Sequence, residues 1–247
     1  AWSVEQGYQG LENLSLIPGS VGAAPYQNIG AYGVELADVL VWVEVVQLSD
    51  GRLRRFIKDE CRFGYRDSLF KSILPGALVI TRICVRLNKA SAGKPLALHY
   101  ADLAERFAQL PRAEQNAAGL RQIVCALRTS KLPDPAVLAN AGSFFKNPLV
   151  SSTQATALQK QYPGLPLYPQ ADGRVKLAAG WLIEQAGFKG KRAGAVGMHE
   201  KQALVLVNHG GATGQDVLAY ADKVCAEVKT RFDVALEIEP VRLPAKD

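Results

Sequence analysis

The segment from Gly10 to Gly33 constrains the fold of this chain more than any other feature. It reads GLENLSLIPGSVGAAPYQNIGAYG and is dense in glycine and other small residues, without lysine, arginine or aspartate. Because it has neither helical nor strand periodicity, it predicts a long, organised loop. Closely spaced glycines let backbone N–H groups approach an anion, so the loop is either a cradle for a diphosphate or a structural loop. It matches neither of the common nucleotide motifs, GxxxxGK[ST] and GxGxxG.

The composition is that of a folded globular protein. Of 247 residues, 48% are hydrophobic and 21% are charged, and the formal net charge is +6. The longest apolar stretch, Val39–Val46, contains Glu44 and is too short to cross a membrane. Basic residues never run beyond two in a row, so the positive charge favours a phosphorylated small molecule over nucleic acid as the partner.

The cysteines and histidines predict no metal site. Four cysteines are widely spaced, without a CxxC pair, and only three histidines accompany them. Neither a zinc site nor a disulfide framework fits this pattern, so reduced thiols in a cytosolic protein are expected. The histidines are expected at polar surface positions.

The first half of the chain predicts mainly β-structure. A strand is expected from Val39 to Leu48, followed by a turn at Asp50-Gly51 and a returning strand from Leu53 to Ile57. A further strand is expected from Ala77 to Leu87. Its apolar face should carry one alternating set of side chains: Val79, Thr81, Ile83 and Val85.

The second half alternates helical and strand patterns and predicts an α+β domain. An apolar helical stripe comes first, on Leu120, Ile123, Val124 and Leu127. The helices expected beyond it span Thr153–Gln161 and Leu177–Ala186, with Gly187 as a C-cap, and a long helix follows Thr213. Strands are expected at Ala203–Val207 and over Val234–Glu239.

Three short segments could carry chemistry. Arg66, in CRFGYRDS, suits a carboxylate or phosphate, although an exposed Arg-Asp pair on a loop would look alike. Ser143, in NAGSFFKNP, could be a proton donor or a nucleophile, but no histidine lies near it in sequence to activate it. Glu239 could be a general acid, an electrostatic partner or an ordinary surface residue. Phe144, Phe145 and Trp181 are expected in the core.

Taken together, these segments resemble the flavoenzyme family of UDP-N-acetylenolpyruvoylglucosamine reductase. GLENLSLIPGSVGAAPYQNIGAYGVEL resembles its flavin-contacting loop, CRFGYRDSLFK its arginine motif, and KLPDP with NAGSFFKNP its serine motif. YPQADGRVKLAAGWLIEQAGFKG and KQALVLVN resemble its substrate domain. The motifs occur in the family's order over nearly the whole chain, and LHYADL resembles the loop of the subgroup in which a tyrosine closes over the nucleotide sugar.

The resemblance implies a cofactor and a reaction. FAD, reduced by NADPH, would deliver hydride to the enolpyruvyl ether of UDP-N-acetylglucosamine in peptidoglycan precursor synthesis. Ser143 would give a proton to the substrate carbon, while Arg66 and Glu239 would stabilise the developing enolate. Residues near the substrate would be Tyr65, Asn147 and Gln202, with Tyr100 and Lys131 at the UDP diphosphate. The implied flavin contacts are Pro18, Gly19, Ser20, Gly22, Ala23, Asn28, Gly30, Tyr32 and Gly33.

The resemblance also implies an α+β architecture. Residues 1–135 would be the remainder of an FAD-binding domain of the vanillyl-alcohol-oxidase-like (PCMH) type, and residues 136–247 a smaller α+β substrate-binding domain. The family's amino-terminal lobe, with its Gly-Gly-Gly-Ser-Asn type loop, is not found in this sequence, and without it FAD binding is expected to be weakened or lost. Many relatives place the catalytic glutamate directly before Val-Arg, whereas LEIEPVR has Pro240 there; the Leu-Glu-x-Glu spacing favours Glu239.

The predicted function is therefore an FAD-dependent, NADPH-using reductase acting on a UDP-sugar in the cytoplasm. It is expected to be a monomer that neither binds nucleic acid nor inserts into a membrane. The alternative is a non-catalytic remnant that keeps the nucleotide-sugar site but holds no flavin.

Overall fold

The computed structural model describes residues 1–242 and divides the chain into two compact units, Ala1–Arg128 and Thr129–Asp247. The division falls inside a helix that runs from Ala117 to Lys131. The domain boundary expected between residues 135 and 136 stays a prediction. Each unit is described separately below.

The first unit is mainly β-structure with long irregular connections. Its elements in chain order are α1 (Trp2–Glu5), β1 (Tyr8–Gln9), β2 (Gly30–Ala31), β3 (Val34–Glu35), β4 (Leu40–Gln47), β5 (Leu53–Ile57), β6 (Leu78–Val85), β7 (Asn88–Lys89), α2 (Ala101–Ala108) and α3 (Ala117–Lys131). A short π-helix spans Leu69–Ile73, and 3-10 turns interrupt the loops.

A three-stranded antiparallel sheet, in the order β5-β4-β6, forms the centre of the first unit. The predicted hairpin is confirmed, since β4 pairs with β5 around the turn at Asp50-Gly51. Gly51 takes a left-handed φ of 69° there, and Asp50 accepts a hydrogen bond from the Arg52 amide at 3.0 Å. One face of the sheet buries Val43, Val45 and Phe56 in the larger apolar cluster of this unit.

The alternation predicted for β6 is wrong over half of the strand. The pairing with β4 shifts register between Glu44 and Val45, where Arg82 and Ile80 are their successive partners. This β-bulge at Thr81 changes which side chains face the core. Ile80 therefore joins Ile83 in the apolar cluster, whereas Val79, predicted to face the core, is 48% exposed.

The two longer helices of the first unit enclose a second, smaller apolar cluster. The stripe predicted on α3 is confirmed, because Leu120, Val124 and Leu127 are buried there. Leu103 and Phe107 of α2 complete the cluster. Helix α2 was not predicted from sequence; it begins directly after Tyr100.

The second unit has α+β structure, as the sequence predicts. Its elements are β8 (Ala139–Ser143), β9 (Leu149–Val150), α4 (Ser152–Gln161), β10 (Leu167–Pro169), β11 (Val175–Leu177), α5 (Ala179–Gln185), β12 (Arg192–Ala193), β13 (Val196–Met198), β14 (Val205–Asn208) and α6 (Gly214–Phe232). The strands form two antiparallel sheets, in the orders β10-β11-β9 and β12-β13-β14-β8.

A single large apolar core holds the second unit together. Phe145, Leu182 and Val224 come from a loop and two helices and are almost fully buried in it. Phe144 is also buried, and Trp181 is partly buried against the Phe232 ring at 6.1 Å between centroids. The core positions expected for Phe144, Phe145 and Trp181 are therefore confirmed.

Helix boundaries in the second unit follow their predicted end signals. Thr213 caps α6, since its hydroxyl accepts from the Asp216 amide at 3.2 Å. Gly187 follows α5 with a φ of 82°, which is the C-terminal role expected of it. Helix α5 begins two residues later than predicted because Leu177 belongs to β11.

The strand predicted over Val234–Glu239 is reduced to a single bridge. Ile238 pairs with Phe145 in an antiparallel bridge, and no longer ladder forms among these described residues. Val234 is nevertheless buried in the core of the second unit. Its apolar character was read correctly, but apolar alternation does not guarantee a neighbouring strand.

Candidate functional site

The glycine-rich segment is a loop, as predicted, and it lines a cavity of the first unit. The cavity has a volume of about 610 Å³. Its walls are formed mainly by residues 14–29, with Ile83 and Val85 of β6 on one side. Four of the predicted flavin contacts line it: Pro18, Gly19, Ser20 and Ala23. Gly22 lies in the same 3-10 turn, Val21–Ala23.

The remaining predicted flavin contacts lie at the other end of the loop, in or beside the β2-β3 hairpin. Asn28 and Tyr32 have left-handed φ values of 46° and 51°. Gly33 has a φ of 79°, and a Cβ there would stand 2.8 Å from the His99 ring. Gly30 packs just as closely against Arg66. Close backbone approach therefore explains both glycines.

Buried asparagines fix the path of this loop. Asn13 is 1% exposed and donates to the carbonyl oxygens of Tyr32 at 3.1 Å and Ala97 at 2.9 Å. Asn28, also 1% exposed, donates to Glu35 at 2.7 Å and to the Gly64 carbonyl at 3.1 Å. These bonds replace the ladder that a regular strand would provide.

Two tyrosines predicted to bind ligands contact each other. The rings of Tyr32 and Tyr100 meet edge to face with centroids 5.8 Å apart. Burial raises the pKa of the Tyr32 phenol, which the nearby Arg128 guanidinium partly opposes. Burial lowers the pKa of Arg128, whose guanidinium donates to the Leu16 carbonyl at 3.3 Å. A cation and a phenol thus share a partly desolvated region, which suits an anionic ligand.

Arg66 sits in a tight turn between Gly64 and Asp67, which pair as an isolated bridge. Its backbone φ is 54°, an uncommon value for arginine. Its Nη2 donates to the Gly30 carbonyl at 2.7 Å, and its guanidinium lies 5.2 Å from the centroid of the Tyr65 ring. The turn therefore presents Tyr65 and Arg66 together.

In the second unit the backbone of Glu239 is hydrogen-bonded to the residue that follows Ser143. Ser143 ends β8 and is exposed, after Gly142 with a φ of 73°. The next residue, Phe144, accepts a hydrogen bond at its carbonyl from the Glu239 amide at 3.0 Å. Glu237, by contrast, is 70% exposed at its side chain and pairs with Lys146.

Asn147 and Gln202 both lie at the start of α5. Asn147 Oδ1 accepts from the Ala179 amide at 2.9 Å. Gln202 Oε1 lies 3.4 Å from the position a Cβ on Gly180 would take, and it accepts from the Leu204 amide at 3.3 Å. The two amide side chains therefore flank one helix N-terminus.

The predicted site residues are thus divided between the two units. Tyr65, Arg66 and Tyr100 belong to the first unit, whereas Ser143, Glu239 and the pair at α5 belong to the second. Lys131 is the last residue of α3 and is exposed, on the second unit's side of the division.

Asn13, Glu35 and Arg128 contact the predicted site residues but were not singled out from the sequence. Asn13 and Asn28 occupy a segment without periodicity, where a buried asparagine has no pattern signal. Glu35 is paired with Gly30 in the β2-β3 register, and that pairing follows from a two-residue hairpin that propensities do not reveal. Arg128 lies on the helix that carries the predicted apolar stripe, where arginines normally point to solvent.

Neither a metal-binding cluster nor a membrane-spanning helix occurs within residues 1–242. Among these residues no cluster of histidine, cysteine and acidic side chains could hold a metal ion. His99 and His209 are exposed, and His199 is half-buried with Nδ1 accepting from the Lys201 amide at 3.3 Å. No helix in the described part of the chain is both long enough and apolar enough to cross a membrane.

Comparison with known proteins gives matches over nearly the whole chain. Residues 134–243 match the family "UDP-N-acetylenolpyruvoylglucosamine reductase, C-terminal domain", and residues 1–56 match the "FAD binding domain" family. The UDP-N-acetylenolpyruvoylglucosamine reductase of Alcanivorax borkumensis is 58% identical over 244 residues, which cover 99% of this chain and 69% of that protein. The reductase of the same name from Pseudomonas aeruginosa is 56% identical, over 97% of this chain and 69% of that protein.

A solved structure is similar as well. The crystal structure of UDP-N-acetylenolpyruvylglucosamine reductase from Thermus caldophilus superposes with a TM-score of 0.62 at 26% identity, over 96% of this chain and 65% of that chain. These matches confirm the predicted fold class, part of an FAD-binding domain followed by the family's α+β carboxy-terminal domain. The chain spans roughly two thirds of the length of these relatives, and it belongs to the UDP-N-acetylenolpyruvoylglucosamine reductase family.

Proposed function

We propose that this chain carries out the FAD-dependent, NADPH-using reduction of the enolpyruvyl ether of UDP-N-acetylglucosamine to UDP-N-acetylmuramate. The observation that carries the proposal is the backbone bond of Glu239 to Phe144, next to Ser143. It sets a carboxyl-bearing residue beside an exposed serine. No histidine neighbours Ser143 in the sequence, so proton donation suits this serine better than serine-hydrolase chemistry.

The cavity in the first unit fits a flavin. Its volume of about 610 Å³ is in the range of cofactor pockets, and its walls combine apolar side chains with the backbone of a loop rich in small residues. Pro18, Gly19, Ser20, Gly22 and Ala23 would hold the cofactor at this end. When bound and reduced by NADPH, FAD would supply the hydride that the proposed reaction requires.

The protein's own side chains would stabilise the negative charge of the enolate and donate the proton to the substrate. Arg66 would face the negative charge that develops on the substrate carboxylate, since a guanidinium suits a carboxylate in two-point geometry. Ser143 would give its hydroxyl proton to the substrate carbon. Glu239, in its acid form, would stabilise the developing enolate by a hydrogen bond.

The UDP-sugar would be held by hydroxyl, amide and cationic side chains. Tyr65 neighbours Arg66, and Asn147 and Gln202 flank the N-terminus of α5. Tyr100 and Lys131 would meet the diphosphate, where a phenol donor and an ammonium match the phosphate oxygens. A monomer acting in the cytoplasm is proposed, without nucleic acid as a partner.

Ser143→Ala tests the proton-donor role. With FAD bound, flavin reduction by NADPH should proceed at the normal rate, whereas product formation should fall by about 100-fold or more, the usual contribution of a positioned proton donor. Ser152→Ala, an exposed serine of α4, is the matched control and should leave both rates unchanged. Normal product formation by Ser143→Ala would overturn the assigned role.

The alternative is a chain that binds the nucleotide sugar without flavin. It is distinguished by two titrations of the same preparation. Saturable binding of UDP-N-acetylglucosamine without any saturable binding of FAD would favour this alternative over the reductase.

A further inference from the structure

We propose that Asn28 and Glu35 are positioning residues that hold the guanidinium of Arg66 in place. All three belong to the first unit. The kinetic consequences of this proposal rest on the function proposed above. The placement of Arg66 does not, because it is a property of the chain without any ligand.

Arg66 is attached to the β2-β3 hairpin. Its Nη2 donates to the Gly30 carbonyl at 2.7 Å. A Cβ on Gly30 would lie 2.9 Å from Arg66 Nη1 and 3.0 Å from Glu35 Cγ. The cationic group and the acidic side chain thus converge on one glycine, and only a residue without a side chain lets them do so.

The Glu35 carboxylate is itself fixed in place. Glu35 is paired with Gly30 in the register of β2 and β3, so the two residues face each other across the hairpin. Its side chain accepts from the Asp38 amide in a capping box, and its Oε2 accepts from Asn28 Nδ2 at 2.7 Å. The two donors therefore hold the Glu35 carboxylate on the hairpin, beside the Arg66 guanidinium.

Asn28 joins this hairpin to the turn that carries Arg66. Its amide nitrogen donates to Glu35 and to the Gly64 carbonyl, and its Oδ1 accepts from the Ala37 amide at 3.0 Å. Gly64 is the residue that pairs with Asp67 to close the turn around Arg66. The buried Asn28 side chain therefore holds both Glu35, the acidic neighbour of Arg66, and the Gly64 backbone of the turn that carries Arg66.

The direct test measures the Arg66 side chain in the ligand-free chain. In protein labelled with nitrogen-15 arginine, the Arg66 guanidinium signal is assigned by its loss in Arg66→Lys. Rotation about its Cζ–Nε bond should be about tenfold faster in Glu35→Gln and in Asn28→Ala, since each removes a hydrogen bond or charge from the group that restrains it. Unchanged rotation in Glu35→Gln, which is isosteric, would overturn the proposal even if Asn28→Ala fails to fold.

Asp38→Asn is the matched control. Asp38 accepts from the Glu35 amide at 2.8 Å in the 3-10 turn Leu36–Asp38. The substitution removes the Asp38 charge but keeps the backbone amide that donates to the Glu35 side chain. Rotation of Arg66 should stay as in the unsubstituted chain. Equal acceleration in Asp38→Asn and Glu35→Gln would show that only the turn matters and would contradict the proposal.

The kinetic test asks whether the two residues act through Arg66. With FAD bound, Glu35→Gln should lower kcat by about 10-fold to 100-fold with little change in the KM for NADPH, because a misplaced catalytic group affects the chemical step. In an Arg66→Lys background the same substitution should cost less than threefold, since the group it positions is gone. Full additivity would overturn the proposal. Absence of any reductase activity would refute the proposed function instead and leave the nitrogen-15 result to decide on positioning.

Discussion

The two units of the molecule are stabilised in different ways. The second unit encloses one continuous apolar core to which every one of its α-helices contributes. The first unit divides its apolar residues between two smaller clusters. All buried polar residues found among residues 1–242 lie in the first unit: Gln9, Glu12, Asn13, Asn28, Glu44 and Ser68.

The difference follows from what each unit has to hold. Regular helices and strands satisfy most of their own backbone groups, so the second unit depends mainly on apolar packing. Most of the loop of residues 10–33 has no such ladder, and the buried Asn13 and Ser68 side chains donate hydrogen bonds to its Tyr32 and Tyr26 carbonyls. The first unit thus uses buried polar groups to hold an irregular loop in one conformation.

The largest expected effect is in the core of the second unit. Leu182→Ala removes a side chain with 0% exposure from α5 and should destabilise the protein by about 3 kcal/mol, through lost burial and the cavity left behind. Urea denaturation measures the loss. Leu48→Ala, at a position 59% exposed, should change the free energy of unfolding by less than about 0.5 kcal/mol. Similar values for the two variants would contradict the packing account of this unit.

Removal of a buried polar side chain should destabilise the first unit nearly as much. Asn13→Ala removes two buried hydrogen bonds and leaves the Tyr32 and Ala97 carbonyls without them, which should cost about 2 kcal/mol. The loop should also become more sensitive to limited proteolysis. Gln122→Ala, an exposed position on α3, should show neither change. A loss below about 0.5 kcal/mol for Asn13→Ala would mean that the loop does not depend on this side chain.

Loss of a helix cap should lower the free energy of unfolding less than either Leu182→Ala or Asn13→Ala does. Thr213→Ala removes the side chain that caps α6 and should destabilise the protein by about 1 kcal/mol in thermal or urea denaturation. Hydrogen bonds from Thr213 lower the pKa of Asp216, so this stabilisation should be present above the ordinary carboxyl pKa and be lost as the pH falls toward the lowered one. Thr153→Ala, exposed in α4, is the control. Equal losses in the two threonine variants would argue against a capping role.

The smallest effect concerns His199. Burial lowers the pKa of this imidazole, so the folded protein takes up its proton at a lower pH than the unfolded chain does. Its contribution should be fully present above the ordinary histidine pKa of about 6.5 and should decline as the pH falls through that value. His199→Gln should flatten the decline in unfolding free energy between pH 7 and 5. An unchanged pH dependence in His199→Gln would contradict this assignment.

The sequence predicted regular elements better than their exact pairing. Strand β4, helix α3 and the cap at Thr213 follow from local pattern, because burial on one face imposes a period on the side chains. The bulge at Thr81 has no local signal, since it arises from pairing with β4, and it reversed the predicted exposure of Val79. Helix α2 is short, and its first residues belong to the tyrosine motif LHYADL, so its apolar spacing was too brief to predict a helix.

The candidate site was found through motifs rather than through geometry. The chemistry of their side chains singled out Arg66, Ser143 and Glu239, and the resemblance to family segments predicted their roles. The structure adds contacts that a motif does not contain. The bond between Glu239 and Phe144 joins segments almost one hundred residues apart, and the contacts of Asn28 link Gly64 with the hairpin. Such long-range contacts depend on the complete fold and leave no spacing to read in the chain.

We propose that the loop of the first unit forms a flavin site, and an FAD titration tests this site most directly. The chain is expected to quench flavin fluorescence in a saturable way, with one FAD bound per chain. Ala23→Phe, which fills part of the cavity, should weaken this binding by about tenfold or more, while Leu53→Phe on the exposed side of β5 should not. A folded chain that shows no saturable flavin binding, or one that Ala23→Phe leaves unchanged, would contradict the claim.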